Sequence, residues 1–110
     1  MAGRAQQREQ VAADALAALG NRTRLRIFKL LVRAGPEGTN IGTVQRLLGV
    51  PATTLGHHLG TLAAAGLVRQ ERRGREVICT ANFRAVFDVL AYVKEECCAG
   101  IAFKSDREAA

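Results

Sequence analysis

Three cysteines are the residues of this sequence best suited to chemistry, and two of them, Cys97 and Cys98, are adjacent. Neighbouring residues of a helix point about 100° apart, so modest fraying of a helix end lets both sulfurs reach one soft ion. Soft thiolates suit arsenic(III)-like or Cu(I)-like species. The pair therefore predicts a soft-ion binding site. Thiol-based redox or reactive-sulfur sensing is the competing role for the same two thiols.

Cys79 is the remaining cysteine, and it lies in a short β-like run. A buried free cysteine commonly serves packing alone. The alternative is that Cys79 supplies a third thiolate to the pair, within the chain or across a dimer. Local charge does not favour thiolates at the pair, because Glu95, Glu96 and a helix C-terminus oppose them while Lys94 assists. A bound soft ion can still drive deprotonation.

The segment from Pro51 to His57 is small and polar, which is typical of the base-reading end of a recognition helix. At 3.6-residue spacing, the opposite and largely apolar face holds Leu55, His58, Leu59 and Leu62. Two glycines, Gly56 and Gly60, weaken the helix. They fit either a close approach of the DNA backbone or tight packing. We predict DNA contacts from Thr53, Thr54, Gly56 and His57.

A run of arginines follows this helix, with only Glu71 and Glu76 to balance it. Two short β-like runs flank Gly74, which predicts a β-hairpin. A charge run alone is usually a solvated face, but a cationic hairpin beside a recognition helix is typical of a DNA-gripping wing. We predict contacts to phosphates or the minor groove from Arg72, Arg73 and Arg75. Additional candidates for phosphate contacts are Arg22, Arg24 and Arg26.

The elements that must position these residues are mainly helical. Apolar spacing and turn residues predict a first helix over about 6–19, a last helix over about 82–99, a helix-turn-helix over about 40–65 and a wing over about 67–80. The expected N-caps are Asn21, Thr39 or Asn40, and Asn82, and the expected helix stops are Gly49 and Gly66. The predicted fold is mainly α with a small β-hairpin (α+β), in one domain spanning 1–110.

Composition bounds the class of protein. The 110 residues carry 16 Lys and Arg against 10 acidic residues, a formal charge of +6, which suggests a polyanion partner. A domain of this size is marginal in surface-to-volume terms, so a second subunit would stabilise it. We expect no membrane segment, no signal peptide and a reducing cytoplasmic location. The polar tail after Gly100 is expected to fray.

Two other function classes fit less well. A thiol enzyme needs a low-pKa cysteine beside a positioned base, and the sequence has neither a Cys-x-x-Cys motif nor an acid–base constellation around its cysteine pair. We therefore predict a protein that is not an enzyme and has no catalytic cofactor. A winged-helix module for protein interaction would be favoured by a neutral or acidic wing, and this wing is basic.

Several stretches, in order, resemble the ArsR/SmtB metalloregulators. The stretch from Ala18 to Ile27 is similar to their second-helix signature, and Thr53 to Val68 looks like their recognition helix with the strand after it. Arg73-Gly74-Arg75, followed by Val77-Ile78, resembles their wing. The resemblance covers about residues 11–98. It implies a winged-helix homodimer, joined through its first and last helices, that binds operator DNA until an inducer releases it.

The vicinal pair Cys97-Cys98 looks like the sensing site of the arsenical-responsive branch of that family. A third cysteine usually follows in that branch, and none follows Cys98 here. Either Cys79 supplies the third thiolate, or the site has two thiols, which suits a monosubstituted trivalent arsenical. Zinc-sensing members use Asp and His pairs on the last helix, where Asp88 stands alone. The expected inducer is an arsenic(III) species (arsenite or an organic arsenical) or antimonite.

Overall fold

Five helices and three short strands make up the fold. The structure, a computed structural model, describes residues 2–101, so the tail that was expected to fray lies almost entirely outside the described residues. None of the helices in this range is long and apolar enough to span a membrane. The predicted class, mainly α with a small β component, is confirmed. In chain order the elements are α1 (Ala2–Leu19), α2 (Arg22–Ala34), β1 (Thr39–Asn40), α3 (Ile41–Leu48), α4 (Ala52–Ala64), β2 (Val68–Arg73), β3 (Glu76–Ala81) and α5 (Phe83–Lys94).

Asparagine side chains begin three of the helices, as the sequence predicts. The side-chain oxygens of Asn21, Asn40 and Asn82 accept hydrogen bonds from backbone N–H groups three residues ahead. Each bond satisfies a donor that the first helical turn leaves free. Asn40, rather than Thr39, is the cap of α3. Gly49 ends α3 in the left-handed conformation, with a φ of 65° that favours glycine.

Three helix boundaries differ from the prediction. α1 begins at Ala2 because, apart from Gly3, its first residues are good helix formers, although they lack the apolar spacing that marks a helix in a sequence. Pro51 is the N-cap of α4 rather than its first helical residue. α5 ends at Lys94 and not near residue 99, because Glu95 is extended and pairs with Arg8 of α1.

The sheet has three antiparallel strands in the order β1-β3-β2, where the sequence predicted only the β2–β3 hairpin. β1 was missed because its two residues are too few to show alternation; Thr39 pairs with Cys79. A Cβ on Gly38, whose φ is 71°, would collide with the Cys79 carbonyl, so this close approach requires glycine. Cys79 is thereby fixed at the centre of the sheet.

The core lies between α1, α2, α4 and the inner face of the sheet. Because side chains alternate along a strand, Val68 and Cys79 share this inner face, and both are buried. The partly buried Val50 and Phe83 pack against its edges. The fully buried side chains are Ile27, Leu31, Val44, Leu55, Leu59, Leu62, Leu67 and Cys79. This core holds α4, the predicted recognition helix, against the rest of the molecule.

Candidate nucleic-acid interface and thiol site

The two faces of α4 have opposite character. Leu55, Leu59 and Leu62 are completely or almost completely buried, and they anchor the helix on the core. The residues predicted to touch DNA lie on the other side and are all exposed: Thr53, Thr54, Gly56 and His57. An exposed polar face at the start of a helix that is seated by its apolar face is the arrangement a major-groove reader needs.

The glycines of α4 do not serve packing within this chain. A Cβ built on Gly56 or Gly60 would meet no heavy atom within 4 Å among the residues that the structure describes. Each glycine costs about 1 kcal/mol of helix stability relative to alanine. This open space does not fit tight packing, and it leaves room for the close approach of an external partner such as a DNA backbone.

Asn40 links the helix-turn-helix to the wing. Its side-chain oxygen caps α3, while its Nδ2 donates to the carboxylate of Glu76 at the start of β3, at 3.1 Å. Sequence reasoning treated Asn40 only as a cap, since no local pattern connects it with a residue 36 positions away. The second bond ties the hairpin to the helix pair and takes up one of the wing's two carboxylates.

The wing is a regular hairpin whose tip, at Gly74, has a φ of 63°. All of its predicted DNA residues are exposed, namely Arg72, Arg73 and Arg75. Their environments differ, because Arg73 donates to Glu71 at 2.6 Å. Within residues 2–101, Arg72 and Arg75 form no such ion pair, so their charges are the more available to a polyanion. The Arg73–Glu71 pair is exposed, and pairs of that kind are weak enough to exchange for a phosphate.

The three arginines of α2 have separate roles. Arg22 and Arg26 are exposed, as phosphate-binding residues must be. Arg24 is half-buried and turned inward: its Nε donates to the carbonyl of Ala18 at 2.6 Å, and its Nη1 lies 3.4 Å from Nδ1 of His58. Arg24 is therefore less available for a phosphate contact than Arg22 and Arg26, because its guanidinium is engaged between helices.

Cys97 and Cys98 lie in an exposed turn after α5, rather than in the last helical turn as predicted. Their Sγ atoms are 3.4 Å apart. Both Glu96 and Cys98 have a positive φ, near 64° and 62°, which costs non-glycine residues roughly 1–2 kcal/mol each. The backbone thus brings the two sulfurs together in a locally strained turn. The geometry of this turn could not be foreseen from helical spacing.

Cys79 does not join this pair. It is buried at the centre of the sheet, and burial raises the pKa of its thiol to about 11. Among residues 2–101, no group of three His, Cys, Asp or Glu side chains lies close enough together to hold a metal ion. Within one subunit, Cys79 is thus a buried core residue that is separate from the exposed Cys97–Cys98 pair.

The thiol turn is joined to α1 by Arg8, which sequence reasoning missed. Its guanidinium donates to the carboxylate of Glu95 at 2.6 Å and lies over the ring of Tyr92, 5.2 Å from the ring centre. The pair lowers the pKa of Glu95, chiefly through this hydrogen bond and then through the charge of Arg8. The two residues are 87 positions apart, and no local signal connects them.

A helix pair with an exposed polar face, beside a basic hairpin, is the winged helix-turn-helix arrangement that is typical of DNA-binding proteins. A family model described as a helix-turn-helix domain matches residues 19–71. The HTH-type transcriptional regulator YgaV of Escherichia coli (strain K12) is 29% identical over 87 residues, which cover 79% of this chain and 86% of that protein.

This chain is also similar to solved structures, which narrow the type of winged helix-turn-helix fold. An ArsR-like transcriptional regulator from Rhodococcus sp. RHA1 is 27% identical, with a TM-score of 0.70 over 92% of this chain and 88% of that one. A protein described as a possible transcriptional regulator for arsenical resistance shares the fold at 21% identity, with a TM-score of 0.66 over 87% and 93% of the two chains. The chain thus has a winged helix-turn-helix fold like that of ArsR-like transcriptional regulators.

Proposed function

We propose that this regulator is a homodimeric, cytoplasmic repressor that leaves its operator when a trivalent arsenical or antimonite binds Cys97 and Cys98. The observation that carries the proposal is the pair of exposed thiols with their Sγ atoms 3.4 Å apart. For a bond of about 2.3 Å, as in zinc–thiolate sites, an angle of about 95° at the ion separates two sulfurs by about 3.4 Å. The pair is thus spaced to chelate one soft ion.

The binding chemistry is a ligand exchange without oxidation or reduction. Each thiol replaces one hydroxyl group on the trivalent arsenic, and its proton leaves with that hydroxide as water. Two thiols satisfy two valences, so a carbon-substituted arsenical, whose third valence is already occupied, suits this site best. Arsenite and antimonite bind through the same two sulfurs and keep one hydroxyl group. Cys79, buried in the core, takes no part.

DNA binding is assigned to the two exposed surfaces of the helix-turn-helix and wing. Thr53, Thr54, Gly56 and His57 enter the major groove, while Arg72, Arg73 and Arg75 hold phosphates or the minor groove. Support comes from the exposure of all seven residues and from the charge of +6. In a two-fold dimer the operator half-sites lie about one helical turn, or a multiple of it, apart.

A second copy of the chain is the proposed partner of α1 and α5. Both helices carry large apolar side chains that one subunit leaves exposed, including Val11 on α1 and Phe87, Leu90 and Val93 on α5. Monomeric proteins rarely expose such contiguous apolar surface. Burying this surface against its copy links the two recognition helices through α1 and α5.

The Arg8–Glu95 pair supports the proposed route from inducer to DNA. Glu95 lies two residues before Cys97 and is bound to α1, one of the two proposed dimer helices. In this proposal, coordination of an ion by the two thiols constrains the strained turn between Glu96 and Cys98 and displaces Glu95 relative to Arg8. The dimer contact then changes, and with it the relative pose of the two recognition helices.

The test is a DNA-release titration with a labelled duplex that the wild-type protein has selected from a random-sequence pool. Arsenite, a monomethyl trivalent arsenical, antimonite, zinc and a polysulfide are added separately. We expect the methylated arsenical to release DNA at the lowest concentration and zinc to have no effect. Cys97→Ser and Cys98→Ser proteins should bind DNA normally and stay bound, whereas the control Cys79→Ala should respond like the wild type.

Two outcomes would contradict the proposal. If a Cys98→Ser protein still leaves DNA when the arsenical is added, the ligand site lies elsewhere. If polysulfide releases DNA and the arsenicals do not, the chain is a thiol-based redox or reactive-sulfur sensor. That competing function is favoured by the same feature, since two exposed thiols in contact are well placed to react with an oxidised sulfur species.

A further inference from the structure

Arg24 links its own helix, α2, to two others. Its Nε donates at 2.6 Å to the carbonyl of Ala18 near the end of α1, and its Nη1 lies 3.4 Å from Nδ1 of His58 on α4. The last carbonyls of a helix have no partner within that helix, and a cation there also interacts favourably with the helix dipole. The Ala18 contact thus holds the guanidinium in place beside the recognition helix.

The contact with His58 depends on the protonation of its imidazole. Arginine is charged at all ordinary pH values and has only donors to offer. Nδ1 of His58 can accept from Arg24 only when it carries no proton, which requires the neutral ring with its proton on Nε2. A second proton would remove the acceptor and place a positive charge against the guanidinium. The hydrogen bond between Arg24 and His58 therefore exists only when the imidazole of His58 is neutral.

The charges around His58 act in the same direction. Its pKa is lowered below the ordinary value of 6.5, first by burial, then by the charge of Arg24 and that of His57 on its own helix. Asp14 of α1 shares with Arg24 the groove between α1, α2 and α4, but it accepts a hydrogen bond from Gln10. At neutral pH the ring is thus held in the form that accepts from Arg24.

We propose that Arg24 is a positioning residue that holds the recognition helix for DNA binding through neutral His58, so that protonation of His58 weakens operator binding. His58 immediately follows His57, the residue proposed to face DNA, and immediately precedes the buried anchor Leu59. A shift of α4 at His58 therefore moves the reading face directly. This role requires only the DNA-binding function and does not depend on the identity of the inducer.

Protonation of His58 should change DNA affinity in the direction opposite to the usual effect of histidine protonation. A histidine that faces DNA gains positive charge as the pH falls, and phosphate binding strengthens. His57 is exposed and should behave in that way. His58 should do the opposite, because its proton breaks a contact inside the protein. Two adjacent histidines of one helix therefore make matched variants with opposite expected signs.

The test measures binding of the selected duplex by fluorescence anisotropy at constant ionic strength, from about pH 7.5 to about pH 5.5, a range that spans the ordinary histidine pKa. Wild-type affinity should fall roughly threefold to tenfold across this range, since a contact is lost with each proton bound. His58→Asn, whose amide oxygen replaces Nδ1 without titrating, should abolish the fall. The control His57→Gln should retain or steepen it.

A second measurement separates positioning from general stability. In Arg24→Met, an NMR titration should show the His58 pKa moving upward, because the neighbouring charge is gone, while affinity at about pH 7.5 is already reduced. If Arg24→Met does not fold, the two histidine variants still decide the matter. A His57→Gln protein whose affinity does not fall at low pH, or a His58→Asn protein that loses affinity as the wild type does, would overturn the proposal.

Discussion

The recognition helix and the thiol turn are built in opposite ways. Leu55, Leu59 and Leu62 fix α4 to the core, and Arg24 braces it from a neighbouring helix. In the turn after α5 no residue is buried, and two non-glycine residues have a positive φ. The turn is bound to α1 through the exposed Arg8–Glu95 pair. This contrast suits the functions proposed above, a rigid surface that reads DNA and a deformable turn that binds the inducer.

The physical basis of this contrast is packing. A closely packed surface cannot adjust by small amounts without losing contacts, whereas an exposed turn opens at little cost. A reading surface must hold several side chains in register with DNA, and a soft-ion site must close on its ligand. Each function is placed where the local stability suits it.

The largest expected effect tests the rigid side of the comparison. Leu59→Ala removes a side chain from the centre of the core, so the free energy of unfolding should fall by about 2–5 kcal/mol. Thermal or urea unfolding measures this loss, and DNA binding should weaken with it. Cys98→Ser, in the exposed turn, is the control and should leave the unfolding curve unchanged. Equal losses in both proteins would show that the turn is part of the packed structure.

Thiol reactivity should separate the two regions next. With a pKa of about 11 and full burial, Cys79 should alkylate at least about a hundredfold more slowly at about pH 8 than a free cysteine, whose pKa is about 8.5. Cys97 and Cys98 are exposed and should react first. Mass spectrometry after timed quenching counts the labels: two in the native protein and three after denaturation. Rapid labelling of a third thiol in the native protein would place Cys79 in a mobile part of the fold.

The wing allows a finer test of the DNA-reading side. Arg72→Ala and Arg75→Ala should each weaken binding, and each should reduce the slope of log affinity against log salt by about 0.9 per lost phosphate contact. Arg73→Ala should have a smaller effect, because this side chain must first leave Glu71. Binding isotherms at several salt concentrations measure both quantities, with Arg84→Ala on α5 as the control. If Arg72→Ala and Arg75→Ala leave the salt slope unchanged, the proposed wing contacts are wrong.

The smallest expected effect concerns the Arg8–Glu95 pair, which joins the thiol turn to α1. Because the pKa of Glu95 is lowered by Arg8, the pair contributes above the ordinary glutamate pKa and is lost as the pH falls through the lowered value. Arg8→Gln should change thermal stability little, since the pair is exposed, but should increase amide exchange over residues 95–98. Arg84→Gln, which breaks the exposed Arg84–Asp88 pair within α5, is the matched control. Equal exchange in the two variants would remove Arg8 from the proposed route.

Much of the candidate site could be predicted because its signals are local. The exposure of Thr53 and His57 follows from helical periodicity around the leucines of α4, and the basic hairpin follows from its arginines and Gly74. The geometry of the thiol pair could not be predicted in the same way. It depends on where α5 ends, and Glu95, which ends it, is held by a residue at the other end of the chain.

The sequence by itself determined the caps at Asn21 and Asn82, the stop at Gly49 and the buried face of α4. Asn21, Asn40 and Gly49 act on backbone groups within a few residues, so their effects are written in adjacent positions. Only the tertiary structure decided that Arg24 meets His58, that Arg8 meets Glu95 and that β1 joins the sheet. Those contacts depend on the angles at which separate elements pack, which are set by the whole core and by no single stretch of sequence.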